Sequence, residues 1–385
     1  MTRSQPRLIT IFTPSDAAES NTNAQNLTVK EIVARLPEDQ FHVTMLCEGD
    51  PDPRLARRRN TRLVRWTQHG NTLRLLRHCL LPPPDIYFFP RSGPLDRVFF
   101  DVRKRMGLKT ALVTYIVMAM NQAPGRDSIA KDTTAKDTIA QDTTGQGMIR
   151  RSVLEADIVI GNSKHVAETV FQALKVKAGV IYDGVDRRHY FPRERAGNPT
   201  PVVLYAGSFQ PRKRVELVVQ QAARLPAFQF RLAGKGETEQ QCRDLAQRLG
   251  CRNLSFLGHL SSEMLGEEMR RADIFFFPSL LEGNPQVLLQ AAACGLPCLA
   301  MELYRSDYVL SGRTGFLAGS DVELSESLER LAGDAALRAS FTVAAVCHAN
   351  RFDWETIAGQ WSTVFQEVVA RRRSYSQPRY QPRAS

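Results

Sequence analysis

The chain has 385 residues, 43% hydrophobic and 24% charged, with 51 Lys+Arg against 40 Asp+Glu for a net charge of +11. That length exceeds one ordinary core and suits two domains, and the composition excludes a disordered or fibrous chain. Seven cysteines, odd in number and without framework spacing, argue against a disulfide scaffold and for buried thiols in a reducing compartment.

The positive balance favours anionic partners such as phosphates, nucleotides or an acidic membrane face, and equally fits a solvated basic surface. The first apolar run is too short for a signal peptide, and no window approaches the ~20 apolar residues of a membrane span. The expectation is a cytoplasmic protein, with peripheral attachment at the inner face of the membrane as an option.

In chain order, "RLITIF" (7–12) reads as a buried strand, followed by a polar loop and a segment of helical spacing at 24–36. "FHVTMLCEG" (41–49), "TRLVRW" (61–66), "DIYFFP" (85–90) and "KTALVTYIV" (109–117) continue the strand series. Strands alternating with helices predict a parallel, doubly wound sheet. The basic stretch at 54–78 either meets an anionic acceptor or membrane, or is loop and helix surface. It lacks the aromatic interleaving of a nucleic-acid site, so no nucleic-acid partner is expected.

"DSIAKDTTAKDTIAQDTTGQ" (127–146) repeats a five-residue unit with Asp127, Asp132, Asp137 and Asp142 in register. A period of five fits neither helix nor strand, and the expectation is an inserted surface loop. Helix end, strand, turn and helix follow at 153–174, then a strand and turn at 178–186.

The Pro- and Gly-rich segment near 191–200 is the expected linker, closing a first domain at 1–190. Strands restart at 201–207, 228–237, 253–260, 272–279, 295–301 and 314–319, giving a second domain over 201–353. An amphipathic helix at 354–373 and a disordered basic tail at 374–385 complete the chain. Cys294 and Cys298 are four apart, but the intervening Gly295 and Pro297 and the absence of a nearby His or acid speak against a metal site.

"ADIVIGNSKHVAETV", "VIYDGVDRRHYFP", "YAGSFQPRKRVELVVQQA", "LAGKGE", "LSFLGHL", "ADIFFFPSLLEGNPQVLLQAAACGLPCLA" and "GRTGFLAG" occur in the order found in family-4 retaining glycosyltransferases. The resemblance is good over roughly 150–365 and weak over 1–120. It implies the GT-B architecture: α/β, two Rossmann-like domains facing across a cleft, parallel sheets with helices on both faces. The second domain would hold the nucleotide-sugar donor and the first the acceptor, and the terminal helix would cross back to the first domain.

The residues support a donor site on their own terms. Ligands bind outside the carboxyl ends of the strands of a doubly wound sheet, and "LLEGN" ends the strand "FFFPS". Gly283 permits close backbone approach and Pro285 suits the first turn of the next helix. That helix's N-terminus is a ready anion site for a pyrophosphate. Glu282 would face the sugar, and Gln290, where the resemblance implies a second carboxylate, would reach the ribose. Val287, Leu288 and Leu289 read as core. The competing reading is an ordinary strand–helix connection.

Lys213, past the strand ending at Gly207, would supply positive charge to the leaving diphosphate. The resemblance implies an arginine directly after that glycine, where Ser208 stands. Arg212 or Arg214 could compensate, although each also reads as a solvated arginine. Gly234, Gly258 and the backbone of His259 and Leu260 are candidates for holding base and ribose, and Asn284 follows Gly283 in the donor loop.

In the first domain the expected glycine pair and histidine are missing. Asn23, Gln25 and Asn26 either contact sugar hydroxyls or cap a helix, and Tyr115 is either a site residue or a packed tyrosine.

The expected activity is metal-independent retaining transfer of a sugar from a nucleotide-diphosphate sugar to a glycan, lipid-linked or small-molecule acceptor, with no separate cofactor. Glu282 and Lys213 are its candidate catalytic residues. Two rivals are a degenerate glycosyltransferase fold serving as a binding or scaffold subunit, and a nucleotide-sugar epimerase on the same architecture.

Overall fold

A computed structural model of the protein describes residues 7–21, 23–66, 72–90, 93–120, 150–192 and 200–375. The 127–146 repeat, most of the 191–200 segment and nearly all of the 374–385 tail lie outside the described residues. The chain divides into two compact units. The first comprises the chain up to Asn162, Val166–Tyr182 and the chain from Glu355 on, and the second comprises Ser163–His165 and Asp183–Trp354. The division after Tyr182 falls ahead of the expected domain end at 190.

The first unit holds strands β1 (Ile9–Asp16), β2 (Phe41–Cys47), β3 (Thr61–Arg65), β4 (Ile86–Phe89), β5 (Ala111–Ile116), β6 (Ile158–Gly161) and β7 (Gly179–Val180). They form one seven-stranded sheet in the order β3-β2-β1-β4-β5-β6-β7, every pairing parallel. Strands covered on both faces read as unbroken apolar runs, and every residue of β4 (IYFF) and β5 (ALVTYI) is buried.

Alternation sends neighbouring β4 residues to opposite faces. Tyr87 stacks on Phe99 of the helix Pro94–Met106 with ring centroids 4.2 Å apart. Phe88 meets Trp361 at 5.0 Å on the other face. Trp361 is fully buried, so the helix Trp354–Tyr375 packs onto this first sheet. Two expectations shift here. β1 runs on to Asp16, past the predicted end at 12, and the strand of the strand and turn expected at 178–186 is two residues long.

The second unit holds β8 (Val202–Ala206), β9 (Gln229–Ala233), β10 (Leu254–Gly258), β11 (Ile274–Phe277), β12 (Cys298–Met301) and β13 (Gly315–Ala318). The order is β10-β9-β8-β11-β12-β13, again all parallel. Strand order reverses between β8 and β11, so the loops leaving these two strands emerge side by side where ligands bind in such sheets. Among the described residues no helix is long and apolar enough to cross a membrane.

Candidate donor site at the carboxyl ends of the second sheet

Three glycines let the loops after β8, β9 and β10 close on one another. Gly207 N donates to Ala233 O at 3.0 Å, Gly234 N to Gly258 O at 2.7 Å, and Phe209 N to Lys235 O at 2.9 Å. Gly234 has φ +137°, and a Cβ there would stand 1.8 Å from Gly207 O, so only glycine fits.

Past Gly207 the chain makes a 3-10 turn, Pro211–Lys213, and passes through Arg214 at φ 52° into the helix Val215–Arg224. This turn points Lys213 at the loop after β11. Lys213 Nζ donates to Glu282 Oε1 and lies 4.8 Å from the ring centroid of Phe277, the last residue of β11. Burial pulls the Lys213 ammonium below the usual lysine value, with the Glu282 carboxylate opposing that pull.

Glu282 is anchored through a single oxygen. Its Oε1 accepts from Lys213, from Arg212 Nη1 at 2.9 Å and from Ser279 Oγ at 2.5 Å. Its Oε2 receives no hydrogen bond from the described residues. Arg212 also donates to Leu281 O at 2.8 Å, and Leu280 N donates to Arg212 O at 2.9 Å. The two loops are therefore stitched together by a carboxylate that keeps one acceptor oxygen for a ligand.

Asn284 is buried, and its Oδ1 accepts from Ser306 Oγ at 2.8 Å, tying this loop to the one after β12. The helix Gln286–Ala293 follows, with Pro285 just outside its first turn as the capping residue, where it had been expected inside. Gln290 is half-buried on this helix, and its side chain makes no hydrogen bond with the described residues.

Several expectations are corrected. Arg212 and Arg214 are paired rather than free: Arg214 is largely buried and pairs with Asp321, while Arg212 stays partly exposed and pairs with Glu282. Val287 is half-exposed, while Leu288 and Leu289 are core. Ser208 is exposed, and its carbonyl accepts from Tyr205 Oη at 3.1 Å. His259 is exposed and Leu260 half-buried beside Gly258.

In the first unit, Tyr115 is fully buried against Trp361, as the packed reading expects. Asn23 caps the helix Ala24–Val33 through Gln25 N, and Asn26 Oδ1 accepts from Asp16 N at 3.3 Å. The loop after β1 is shaped by Asp16, which accepts from Ala18 N, Glu48 N and Asn21 Nδ2. The buried Lys30 ammonium holds the carbonyls of Ala18 and Asn21.

Sequence reasoning missed Ser279 and the Asn284–Ser306 bond. Ser279 stands three residues before Glu282 in the same loop, close enough in sequence to be weighed as its partner; Ser306 carried no local signal. Among the described residues no group of three or more His, Cys, Asp or Glu is placed to hold a metal ion. Cys294 and Cys298 are buried free thiols.

Residues 186–345 match the family model described as Glycosyl transferases group 1. A D-inositol 3-phosphate glycosyltransferase of Stackebrandtia nassauensis is 29% identical over 248 residues, 57% of this chain and 56% of that protein. An exopolysaccharide phosphotransferase of Streptomyces coelicolor is 34% identical over 190 residues, 47% of this chain and 20% of that protein. The chain thus spans about half the length, or less, of these curated relatives.

Among solved structures, sucrose-phosphate synthase of Thermosynechococcus elongatus superposes with a TM-score of 0.75 at 20% identity, covering 95% of this chain and 100% of that one. Anabaena HepE in complex with UDP-glucose gives 0.71 at 19% identity over 94% and 100%. The fold is therefore that of the GT-B proteins, and residues 186–345 are similar to the glycosyl transferases group 1 domain.

Proposed function

We propose that the chain is a retaining, metal-independent glycosyltransferase that moves a sugar from a nucleotide-diphosphate sugar to an acceptor hydroxyl in glycan, polysaccharide or glycolipid synthesis. One observation carries the reading: at the switch point of the second sheet, Lys213, Arg212 and Ser279 converge on Oε1 of Glu282 and leave its Oε2 open. The D-inositol 3-phosphate glycosyltransferases and the UDP-glucose complex of HepE support it from outside the chain.

On this reading Lys213, Arg212 and the N-terminus of the helix Gln286–Ala293 take up the charge that grows on the diphosphate. Glu282 Oε2 accepts a hydroxyl of the donor sugar and fixes its orientation. The bond between the anomeric carbon and the diphosphate oxygen breaks. The acceptor oxygen bonds the same face of that carbon, and its proton passes to the departing phosphate. Gly234, Gly258, His259 and Leu260 line the side expected for base and ribose, and Asn284 braces the loop.

Thermal stabilisation across a panel of nucleotide sugars, followed by donor hydrolysis, tests this. Stabilisation with turnover supports it. Absence of binding to UDP, GDP and ADP alike would sink it, and binding without any turnover would favour a non-catalytic binding subunit.

A further inference from the structure

In a parallel sheet each crossover helix runs back toward the start of the next strand. The helices Thr72–Leu80, Pro94–Met106 and Lys164–Leu174 therefore all end at the edge where β4, β5, β6 and β7 begin. These strands are neighbours, so the ends lie along a front on the order of 15 Å wide. It is the end of the first unit opposite the carboxyl ends of its strands.

This front is rich in cations. Arg77, Lys104, Arg105, Lys109, Lys175 and Lys177 are all exposed there. None of them makes an ion pair among the described residues, whereas the acids of the same edge are engaged. Asp85 accepts from Thr10 N and Oγ1 at 2.9 and 3.0 Å. Asp157 accepts from Leu112 N at 2.7 Å and pairs with Arg103 and Arg372. Glu155 faces Arg151 at 3.4 Å. Glu38 and Asp39, the exposed acids nearest in type, precede β2, beyond β1 in the sheet.

Three large apolar side chains stand among these cations. Leu81 is 72%, Met106 59% and Phe171 45% exposed, and Lys175 Nζ lies 5.7 Å from the Phe171 ring. Exposed apolar groups ringed by long cationic side chains match an interface where headgroups are anionic and tails begin below them. Within the basic stretch 54–78, Arg54 is held by Glu31 and Asp52 and Arg58 donates to the carbonyls of Ala34 and Leu36, while the exposed Arg57, Arg59, Arg62 and Arg65 flank or lie on β3, at the far edge of the sheet from this front.

We propose that this edge of the first unit docks on an anionic lipid surface, with Leu81, Met106 and Phe171 entering the headgroup layer and the lysines and arginines pairing with lipid phosphates. The carboxyl ends of the first sheet then face away from the bilayer. The proposal does not depend on the donor reading.

Flotation of the full chain with phosphatidylcholine vesicles, with and without phosphatidylglycerol, at low and high salt, tests the proposal. The expected result is binding that requires phosphatidylglycerol and weakens with salt. The combined change Lys104→Glu, Arg105→Glu and Lys177→Glu should weaken it by about tenfold or more. Phe171→Ser with Met106→Ser should weaken it at unchanged charge. Both variants should keep the parent melting temperature and nucleotide affinity.

No binding to the anionic vesicles, or full binding by the charge-reversed variant, would overturn the proposal. So would loss of vesicle binding to a competing RNA oligomer with the serine variant behaving as the parent, which would mark the edge as a nucleic-acid surface.

Discussion

Lys213 and Glu282 lie 69 positions apart in sequence, yet the ammonium donates to the carboxylate inside the second unit. Their two loops leave β8 and β11, the strands between which sheet order reverses. The pair is therefore a product of topology, and on the proposed function both partners would face the diphosphate and its sugar.

Replacing Lys213 with alanine removes one of three donors on Glu282 Oε1 and leaves Arg212 and Ser279 in place. The fold should survive. Nucleotide-diphosphate affinity should fall by about 1.5–3 kcal/mol, the worth of a hydrogen bond to a charged group. Calorimetry with UDP, GDP and ADP measures this, and unchanged affinity would remove Lys213 from the site.

Gln290 offers an amide with no hydrogen-bond partner among the described residues. Gln290→Glu should strengthen a hydrogen bond to ribose hydroxyls by about 1 kcal/mol through charge assistance. The same titrations read it out. If affinity for every nucleotide stays flat, Gln290 is not at the ribose.

Gly234→Ala forces a methyl group to within 1.8 Å of Gly207 O at a backbone φ of +137°. We expect a loss beyond the ~1–3 kcal/mol of backbone strain alone, with nucleotide affinity falling alongside. Gly250→Ala, at φ +67° with open space around its Cβ, should cost only about 1–2 kcal/mol and leave affinity intact. Thermal melts of the two variants side by side make the comparison; equal losses would contradict the close loop approach.

Asp96 is buried in the first unit, where Tyr87 Oη donates to it at 2.7 Å and Gly93 N at 2.5 Å. Burial pushes its carboxyl up to about 7. A folded value above the unfolded one means the native state holds the proton longer, so stability falls as pH rises from about 4 to about 7 and stays reduced above that. Asp96→Asn keeps both contacts with the amide donating to Tyr87. It should be near neutral at pH 5 and more stable than the parent at pH 8, by on the order of a few kcal/mol. Urea melts at the two pH values decide; a pH-independent difference would exclude this origin.

Much of the architecture was legible from residue order. Unbroken apolar runs such as IYFF, ALVTYI and IFFF marked strands covered on both faces, and their alternation with helical segments implied parallel sheets. Glu282, Gly283, Gly207 and Lys213 stood out because a glycine or an acid at a strand's carboxyl end has a local chemical meaning. Tyr115 stayed open, because a tyrosine near a strand end looks the same whether it faces a ligand or a tryptophan such as Trp361, which lies far along the chain.

What the sequence determined by itself was therefore what local pattern controls: strand and helix type, the glycine turns, and which loops carry polar chemistry. Only the tertiary structure decided which polar groups meet. Strand order brought the loops after β8 and β11 together, so Arg212 and Lys213 share Glu282 while Arg214, one residue on, turns to Asp321. The same parallel crossovers gathered Lys104, Lys109 and Lys177 at one edge. Pairing across tens of residues depends on where the sheet returns the chain, and no short-range pattern records it.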